Sequence, residues 1–435
     1  MAKKRNTSRY RKRKGLFVFE CVVLAVLVLV LGGSIWATMK FSLINFEKLD
    51  QDKVFTSDEV NQNQIQTGNG QEMENTENDF GLSGVEMFAL VGLDTRDGLE
   101  DEVKNSDTMI VACLNHNEKT IRLVSVYRDT YMNVGEDFEG DILYSKANCA
   151  YAIGGAAQFL SMLNLNLDLN ITEFATVRFL ALAKTIELMG GIDLDMTREE
   201  VIHLNNYNVE TSEACNMPYE ELQMPGPEEF DGERTMTFHV NGTQAVSYAR
   251  IRYTQGNDFR RAARQRLVLQ KTLEKAKTCG IGTLNSILNE VLPDVTTNMD
   301  MSKIMTYAAA VLSYNIVDQA GFPFDHIADD GELTGNDNVV PVTLESNVVK
   351  LHEFLLPGVP YEPSATVREY SDYIIYRTGL GLEYVPENSE NGAIPVWTPE
   401  AQAAEQVQTE TVQDMAEGYD SDSYAEEYGY DPYAE

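Results

Sequence analysis

Positive charge is scarce in this chain: 34 Lys and Arg stand against 68 Asp and Glu, for a formal net charge of -34. Eight of those positives fall within the first fourteen residues, so the chain from Gly15 onward carries 26 minus 68, or -42. A body this acidic is repelled by nucleic-acid phosphates and by anionic lipid surfaces, which argues against nucleic-acid binding. Cysteine is scarce too. Of the five, Cys21 lies in an apolar run, and Cys113, Cys149, Cys215 and Cys279 show neither C-x-x-C nor metal-like spacing. The five histidines are scattered, and with no H-E-x-x-H and no G-x-S-x-G the sequence offers no local support for a zinc protease or a serine hydrolase. No Lys or Arg follows Arg377, and residues 401–435 hold ten acids among recurring tyrosines. Such a composition buries too little apolar surface to fold alone, so residues 383–435 are expected to form an acidic disordered tail.

The N-terminus is built differently. Residues 1–14 are basic, and Cys21 to Met39 then run for nineteen residues without a charge. As a helix that run spans roughly 28 Å, close to the hydrocarbon core of a bilayer. Residues 15–39 therefore read as one transmembrane helix. The positives before it place the N-terminus in the cytoplasm and the body outside, at the cell membrane. Residues 40–83, rich in Gln, Asn, Asp and Glu, read as a polar stalk.

The globular part is expected over residues 84–382. Glu86 to Gly92, Thr108 to Leu114 and Thr120 to Tyr127 read as strands, the first two as buried apolar runs; short strands follow at Phe174 to Val177 and Ile192 to Met196. Helices are expected at Lys146 to Leu165, Arg178 to Met189 and Gly242 to Ala249, with further helical stretches at Lys303 to Ser313 and Ser346 to Leu356. This alternation predicts an α/β fold, a mixed central sheet with helices on both faces. Residues 281–382 either complete that core or form an appended unit.

Against the acidic background, one stretch inverts the charge. Arg250, Arg252, Arg260, Arg261, Arg264 and Arg266 fall within seventeen residues, with Asp258 the only acid among them. On a helix capped near Asn257 or Asp258, Arg261, Arg264 and Gln265 are spaced i, i+3, i+4 and share a face at the positive end of the helix dipole. Guanidinium forks so placed suit phosphate, unless acids from elsewhere in the chain meet them. Asp94, after the first strand, and Asp107, opening the second, lie close together if those strands are neighbours. They then form either a pair of hard oxygen ligands suited to Mg²⁺ or two turn caps. Arg96, Arg128 and Lys146 stand at other strand ends or helix starts, where α/β sheets bind ligands.

The motifs G-x-D-x-R, S-D-T-M, R-D-T, K-x-N-x-A-Y, G-G-I-D-L-D, N-G-x-Q-A-x-x-Y-A-R-x-R and D-F-x-R-x-x-R-Q occur in this order between about Val85 and Ala276. In that order they resemble the LytR-CpsA-Psr family, placing a catalytic domain at residues 84–280. The resemblance implies a phosphotransferase that moves a glycopolymer (teichoic acid, capsule or another wall polysaccharide) from an undecaprenyl-pyrophosphate carrier to a hydroxyl of peptidoglycan. It implies that Asp94 and Asp107 are magnesium-associated, that Arg128, Lys146, Arg250, Arg252, Arg261 and Gln265 bind pyrophosphate, and that Asp258 orients arginines. Arg96 and Arg264 join the phosphate set by position. The chain departs from the family at Asn105, Tyr127 and Arg260, where Arg, Pro and Gly are usual. Apolar helical stripes at Phe159, Leu160 and Leu163 and at Leu180, Leu182 and Leu188 are candidates for a polyprenyl trough. The rival readings are a polyprenyl-pyrophosphate hydrolase, which would use the same residues, and a non-catalytic regulator that binds wall polymer.

Overall fold

The computed structural model describes residues 39–57, 84–93 and 105–381, with 41, 137–139, 233, 253–256, 301–302, 305–306 and 308–310 excepted. The basic segment, nearly all of the apolar run, Asp94, Arg96 and the acidic tail lie outside the described residues. Among the described residues no helix is long and apolar enough to cross a membrane.

The chain order is β1 (Asn45–Phe46), β2 (Val85–Leu93), β3 (Ser106–Asn115), β4 (Thr120–Val126), β5 (Tyr131–Glu136), β6 (Ile142–Lys146), α1 (Cys149–Leu167), β7 (Phe174–Arg178), α2 (Phe179–Leu188), β8 (Ile192–Met196) and α3 (Arg198–Ala214). It continues with β9 (Met236–Val240), α4 (Gly242–Arg250), α5 (Asn257–Ala276), α6 (Ile281–Val291), β10 (Val295–Thr297), β11 (Asn315–Phe322), β12 (His326–Asp330), β13 (Asp337–Pro341), α7 (Leu344–Leu355) and α8 (Ala365–Thr378). Seven strands make the central sheet in the order β1-β10-β7-β2-β3-β4-β11. The sheet is mixed: β2 and β4 run antiparallel to β3, while β7 is parallel to β2 and β11 is parallel to β4.

Strand β3 shows why both faces are covered. Its alternate residues Met109, Val111 and Cys113 pack in one cluster with Phe159 and Leu163 of α1, Val348 and Leu351 of α7, and Val367 and Ile374 of α8. The intervening Ile110, Ala112 and Leu114 pack in another with Leu269 and Leu273 of α5. Period-two alternation sends each set to its own face, so a strand apolar throughout demands helices on both sides. Each fully buried side chain contributes roughly 1.5 to 3 kcal/mol.

A second layer of packing joins β8–β9, α2, α3 and α4. Ile192, Leu194 and Met196 face inward while Asp193 and Asp195 stay exposed. The N-G-x-Q motif begins α4 for a local reason: Asn241 and Gln244 form a reciprocal capping box. Gly242 is required there because a Cβ would fall 2.0 Å from the carbonyl oxygen of Ala183 in α2.

Several expectations are corrected. Lys146 ends strand β6 and does not begin a helix; α1 starts at Cys149, and its first turns are broken at Gly154 and Gly155, whose backbone is not helical. Phe159, Leu160 and Leu163 are fully buried core and offer no trough for lipid. Part of the expected stalk is docked on the body: β1 pairs with β10, the Phe55 amide donates to Ser161 Oγ at 2.9 Å, and Ser57 Oγ donates to Asp168. Of the two alternatives for residues 281–382, the geometry is that of the first: they supply β10 and β11 to the sheet, and α7 and α8 to its cover.

Beneath α7, His352 Nε2 lies 2.9 Å from Leu167 O, and its ring stacks on Tyr361 at 3.6 Å. Burial pulls its pKa down to about 4, against the opposing pulls of the Leu167 carbonyl and Asp168. Between about pH 6.5 and pH 4 the unfolded chain binds this proton and the folded chain does not, so stability falls as pH falls through that window. The expected contribution is on the order of 3 kcal/mol. Urea unfolding at several pH values checks it: His352→Gln should flatten the slope between pH 6.5 and 4, and an unchanged slope would contradict it.

Candidate active site

One end of the sheet gathers the site. Leu93 pairs with Ser106 and with Arg178, Ile110 with Ser125, and Phe322 with Val126, which brings the C-terminal ends of β2, β4, β7 and β11 to the start of β3. The strands that carry or precede the two aspartates are thus antiparallel neighbours. Asp107 is at this end of the sheet, and Asp94 is the residue after Leu93.

From Asp107 an alternating chain of charge runs outward. Arg128 Nη1 is 3.0 Å from Asp107 Oδ1, and Arg128 Nε is 3.2 Å from Asp129 Oδ2. Lys146 Nζ is 3.1 Å from Asp129 Oδ1 and 2.7 Å from Asp337 Oδ1. Burial alone would lower the Lys146 pKa, but Asp337 and Asp129 outweigh it and hold the ammonium above its ordinary value. The turn after β4 is fixed by backbone bonds: Thr130 N and Oγ1 donate to Tyr127 O, Asn148 N donates to Arg128 O, and Val339 N donates to Asp129 O. Arg128 and Asp129 are therefore presented by a braced turn between β4 and β5.

Helix α5 closes the cleft from above. Arg261 and Gln265 line it together with Asp107, Thr108, Tyr127 and Arg128. Phe259 anchors the start of the helix, its ring 4.7 Å from Tyr127 and 4.4 Å from His326. Tyr127 has room because residue 321 is glycine; a Cβ there would sit 2.0 Å from the phenol oxygen.

The arginine stretch does not act as one face. Arg264 Nε and Nη2 reach Glu200 Oε1 at 3.0 and 2.9 Å, and Nη1 donates to Ile251 O at 3.2 Å. Residues 264 and 265 are 100° apart around a helix, so with Gln265 at the cleft Arg264 turns toward α3. Arg250 donates to Thr211 Oγ1 at 3.0 Å and lies 3.6 Å from Glu210, also on α3. Arg266 is fully buried, and burial pulls its guanidinium down to about 10, still charged at neutral pH. Arg252 and Arg260 are half-buried, and the side chain of Asp258 lies outside the described residues.

Two acids of α3 thus meet arginines that the sequence left uncompensated. Helix α3 was not among the expected helices, although Thr197 and Glu200 form a T-x-x-E capping box at its start. The further use of Glu200 as an arginine partner has no signal in the sequence. Asp337 was missed as well, since it lies 191 residues from Lys146 with no spacing signal to link them. Breaking the buried pair with Glu200→Gln is expected to cost about 3 to 5 kcal/mol in urea unfolding, and Arg264→Met with Glu200→Leu is expected to recover most of it. A loss under about 1 kcal/mol would show the pair to be dispensable.

Among the described residues no group of three or more His, Cys, Asp or Glu side chains is placed to hold a metal ion. Asp107 offers one carboxylate at the cleft beside Arg128.

An Enterococcus faecalis protein named polyisoprenyl-teichoic acid–peptidoglycan teichoic acid transferase TagU is 30% identical over 272 residues, 58% of this chain and 78% of its own length. Biofilm regulatory protein A of Streptococcus mutans is 26% identical over 314 residues, 69% of this chain and 68% of its own. The solved structure of Streptococcus agalactiae protein gbs0355 superposes with a TM-score of 0.49 at 22% identity, over 66% of this chain and 94% of that one. The sequence profile of the LytR_cpsA_psr family matches residues 52–339, a span that holds the braced turn, the cleft and helix α5 together. The chain belongs to the LytR_cpsA_psr family.

Proposed function

We propose that this chain is a phosphotransferase that moves a glycopolymer from an undecaprenyl-pyrophosphate carrier to a hydroxyl of peptidoglycan, with Mg²⁺ and from the outer side of the cell membrane. The observation that carries the reading is the convergence of Arg128 and Arg261 with Asp107 in one cleft at the sheet end. Two guanidinium forks facing a carboxylate suit a pyrophosphate with a hard cation. The Enterococcus faecalis relative, named a polyisoprenyl-teichoic acid–peptidoglycan teichoic acid transferase, supports the substrate class.

Arg128 and Arg261 bind the two phosphates and orient them, and Lys146 adds a point charge at the rim. Gln265, one turn beyond Arg261, donates or accepts beside them. Asp107, with Asp94, would hold Mg²⁺, which when bound neutralises phosphate oxygens. The acceptor hydroxyl gives up its proton as its oxygen bonds to the phosphorus that bears the polymer; the bond from that phosphorus to the bridging oxygen breaks, and the proton passes to solvent or to the departing phosphate. Undecaprenyl phosphate leaves with the electron pair. Arginines already aligned on the developing charge lower the barrier without reorganising. The basic segment and the apolar run of residues 15–39 would keep this cleft near a carrier confined to the bilayer.

Binding of polyprenyl pyrophosphate to the full-length protein tests the phosphate clamp. Arg128→Gln is expected to weaken it at least about tenfold, the loss of one charge-assisted hydrogen bond. Lys271→Gln, at a helix position away from the cleft, should leave it unchanged. Equal losses for both variants would mean diffuse charge attraction and sink the clamp.

A further inference from the structure

The ion-pair chain does not end in open solvent at Lys146; it leads to a row of tyrosines. In the β5–β6 hairpin Tyr131 pairs with Lys146 and Asn133 with Tyr144, so these four side chains share one face. Met132 and Val134, on the other face, are fully buried against the core. Helix α8 crosses the edge of the first face with Tyr370, Tyr373 and Arg377, spaced i, i+3, i+7 along one stripe. The Tyr144 and Tyr373 rings stack at 4.0 Å and 21°; Tyr131 lies 5.9 Å and Tyr370 6.1 Å from Tyr144.

The row is graded from core to surface: Tyr131 is buried in the main core cluster, and Tyr144 and Tyr370 pack partly against that cluster. Tyr373 keeps 41% of its surface exposed, Tyr144 is half-buried, and Arg377 is exposed beside them. Stacked phenols with one open side and hydroxyls at the rim present an apolar plane edged by donors and acceptors. A pyranose ring has the matching shape, with C–H groups on its faces and hydroxyls around its edge. Tyr144 is two residues from Lys146 on the same strand face, about 7 Å along the strand. A sugar chain whose terminal phosphate or hydroxyl reached the cleft would therefore pass directly over the row.

We infer that Tyr144, Tyr373 and Arg377 form a saccharide-binding platform that holds the glycan next to the bond being made. The inference rests on the phosphotransferase reading and names the glycan subsite of that cleft. Two sources share the chemistry, the polymer on the carrier and the glycan strand of the acceptor.

The test measures binding of two soluble probes to the full-length protein: a peptide-free peptidoglycan tetrasaccharide and a lipid-free phosphorylated wall-polymer saccharide. Tyr373→Ala is expected to weaken at least one probe tenfold or more and Tyr373→Phe no more than about threefold, with polyprenyl pyrophosphate affinity unchanged in both. The probe that responds identifies the source. If Tyr373→Ala lowers the thermal midpoint, Arg377→Gln carries the test at an exposed position, with a loss of threefold or more expected. The platform is overturned if the wild type binds neither probe, or if both variants bind them as the wild type does. Failure of the phosphotransferase reading shows separately, as polyprenyl pyrophosphate binding that is absent or indifferent to Arg128→Gln.

Discussion

Arg261→Ala is expected to lower turnover by about 10² to 10³ with the fold intact, the effect of removing one donor already aligned on transition-state charge. Arg261 is nearly buried and lines the cleft with Asp107, Arg128 and Gln265. Its helix is locked at that end by Phe259 on Tyr127 and His326, so the fork is held before substrate arrives. Pre-organisation of this kind acts mostly on the transition state, and the loss should appear in kcat more than in KM. Arg261→Lys separates charge from geometry: it keeps the cation but loses the two-pronged donor, and partial activity is expected. Wild-type turnover in a folded Arg261→Ala protein would remove the residue from the site.

Asp168→Ala is expected to destabilise the protein by about 3 to 5 kcal/mol, because removing the carboxylate leaves several buried neutral donors unsatisfied at about 1 to 3 kcal/mol each, only partly relieved by rearrangement. Asp168 is 1% exposed and takes four donors: Ser57 Oγ at 3.0 Å, Tyr361 Oη at 2.5 Å, and Ser364 N and Oγ at 2.7 and 2.6 Å. It also caps α1 at φ 50°, a left-handed position that Asp tolerates better than Ala. One carboxylate therefore ties the docked N-terminal arm, the end of α1 and the start of α8 to each other. Urea unfolding measures the loss, and faster amide exchange over residues 42–57 should accompany it. A loss under about 1 kcal/mol, with the arm still protected, would contradict this knot.

Strands β2, β3, β4, β7 and β8 were legible because each is apolar on one or both faces over a continuous run, and helices α2 and α4 because Gly190–Gly191 and Asn241–Gly242 punctuate them. Strand β6 was not, since Ile142 to Lys146 has no alternation of apolar and polar residues to mark it as one arm of a hairpin with β5. Helix α3 has a polar sequence with little amphipathic pattern and was not read from the sequence, its T-x-x-E cap being the one signal present. Within the site, Asp107, Arg128, Lys146, Arg261 and Gln265 were named from the sequence, and the structure places all five around one sheet end. What the sequence withheld was the sorting of charges. A helical wheel puts Arg264 beside Arg261, and nothing in the sequence shows that the distant Glu200 meets it on the side facing α3; likewise only the β12–β13 hairpin brings Asp337 to Lys146.

The most direct test incubates the full-length protein in detergent with a polyprenyl-pyrophosphate-linked saccharide and peptidoglycan fragments, with and without Mg²⁺, and analyses the products. Saccharide joined covalently to peptidoglycan, formed only with Mg²⁺ and lost in Arg261→Ala, is the predicted result. Free saccharide with no adduct, at any acceptor concentration, would contradict transfer and make the chain a hydrolase.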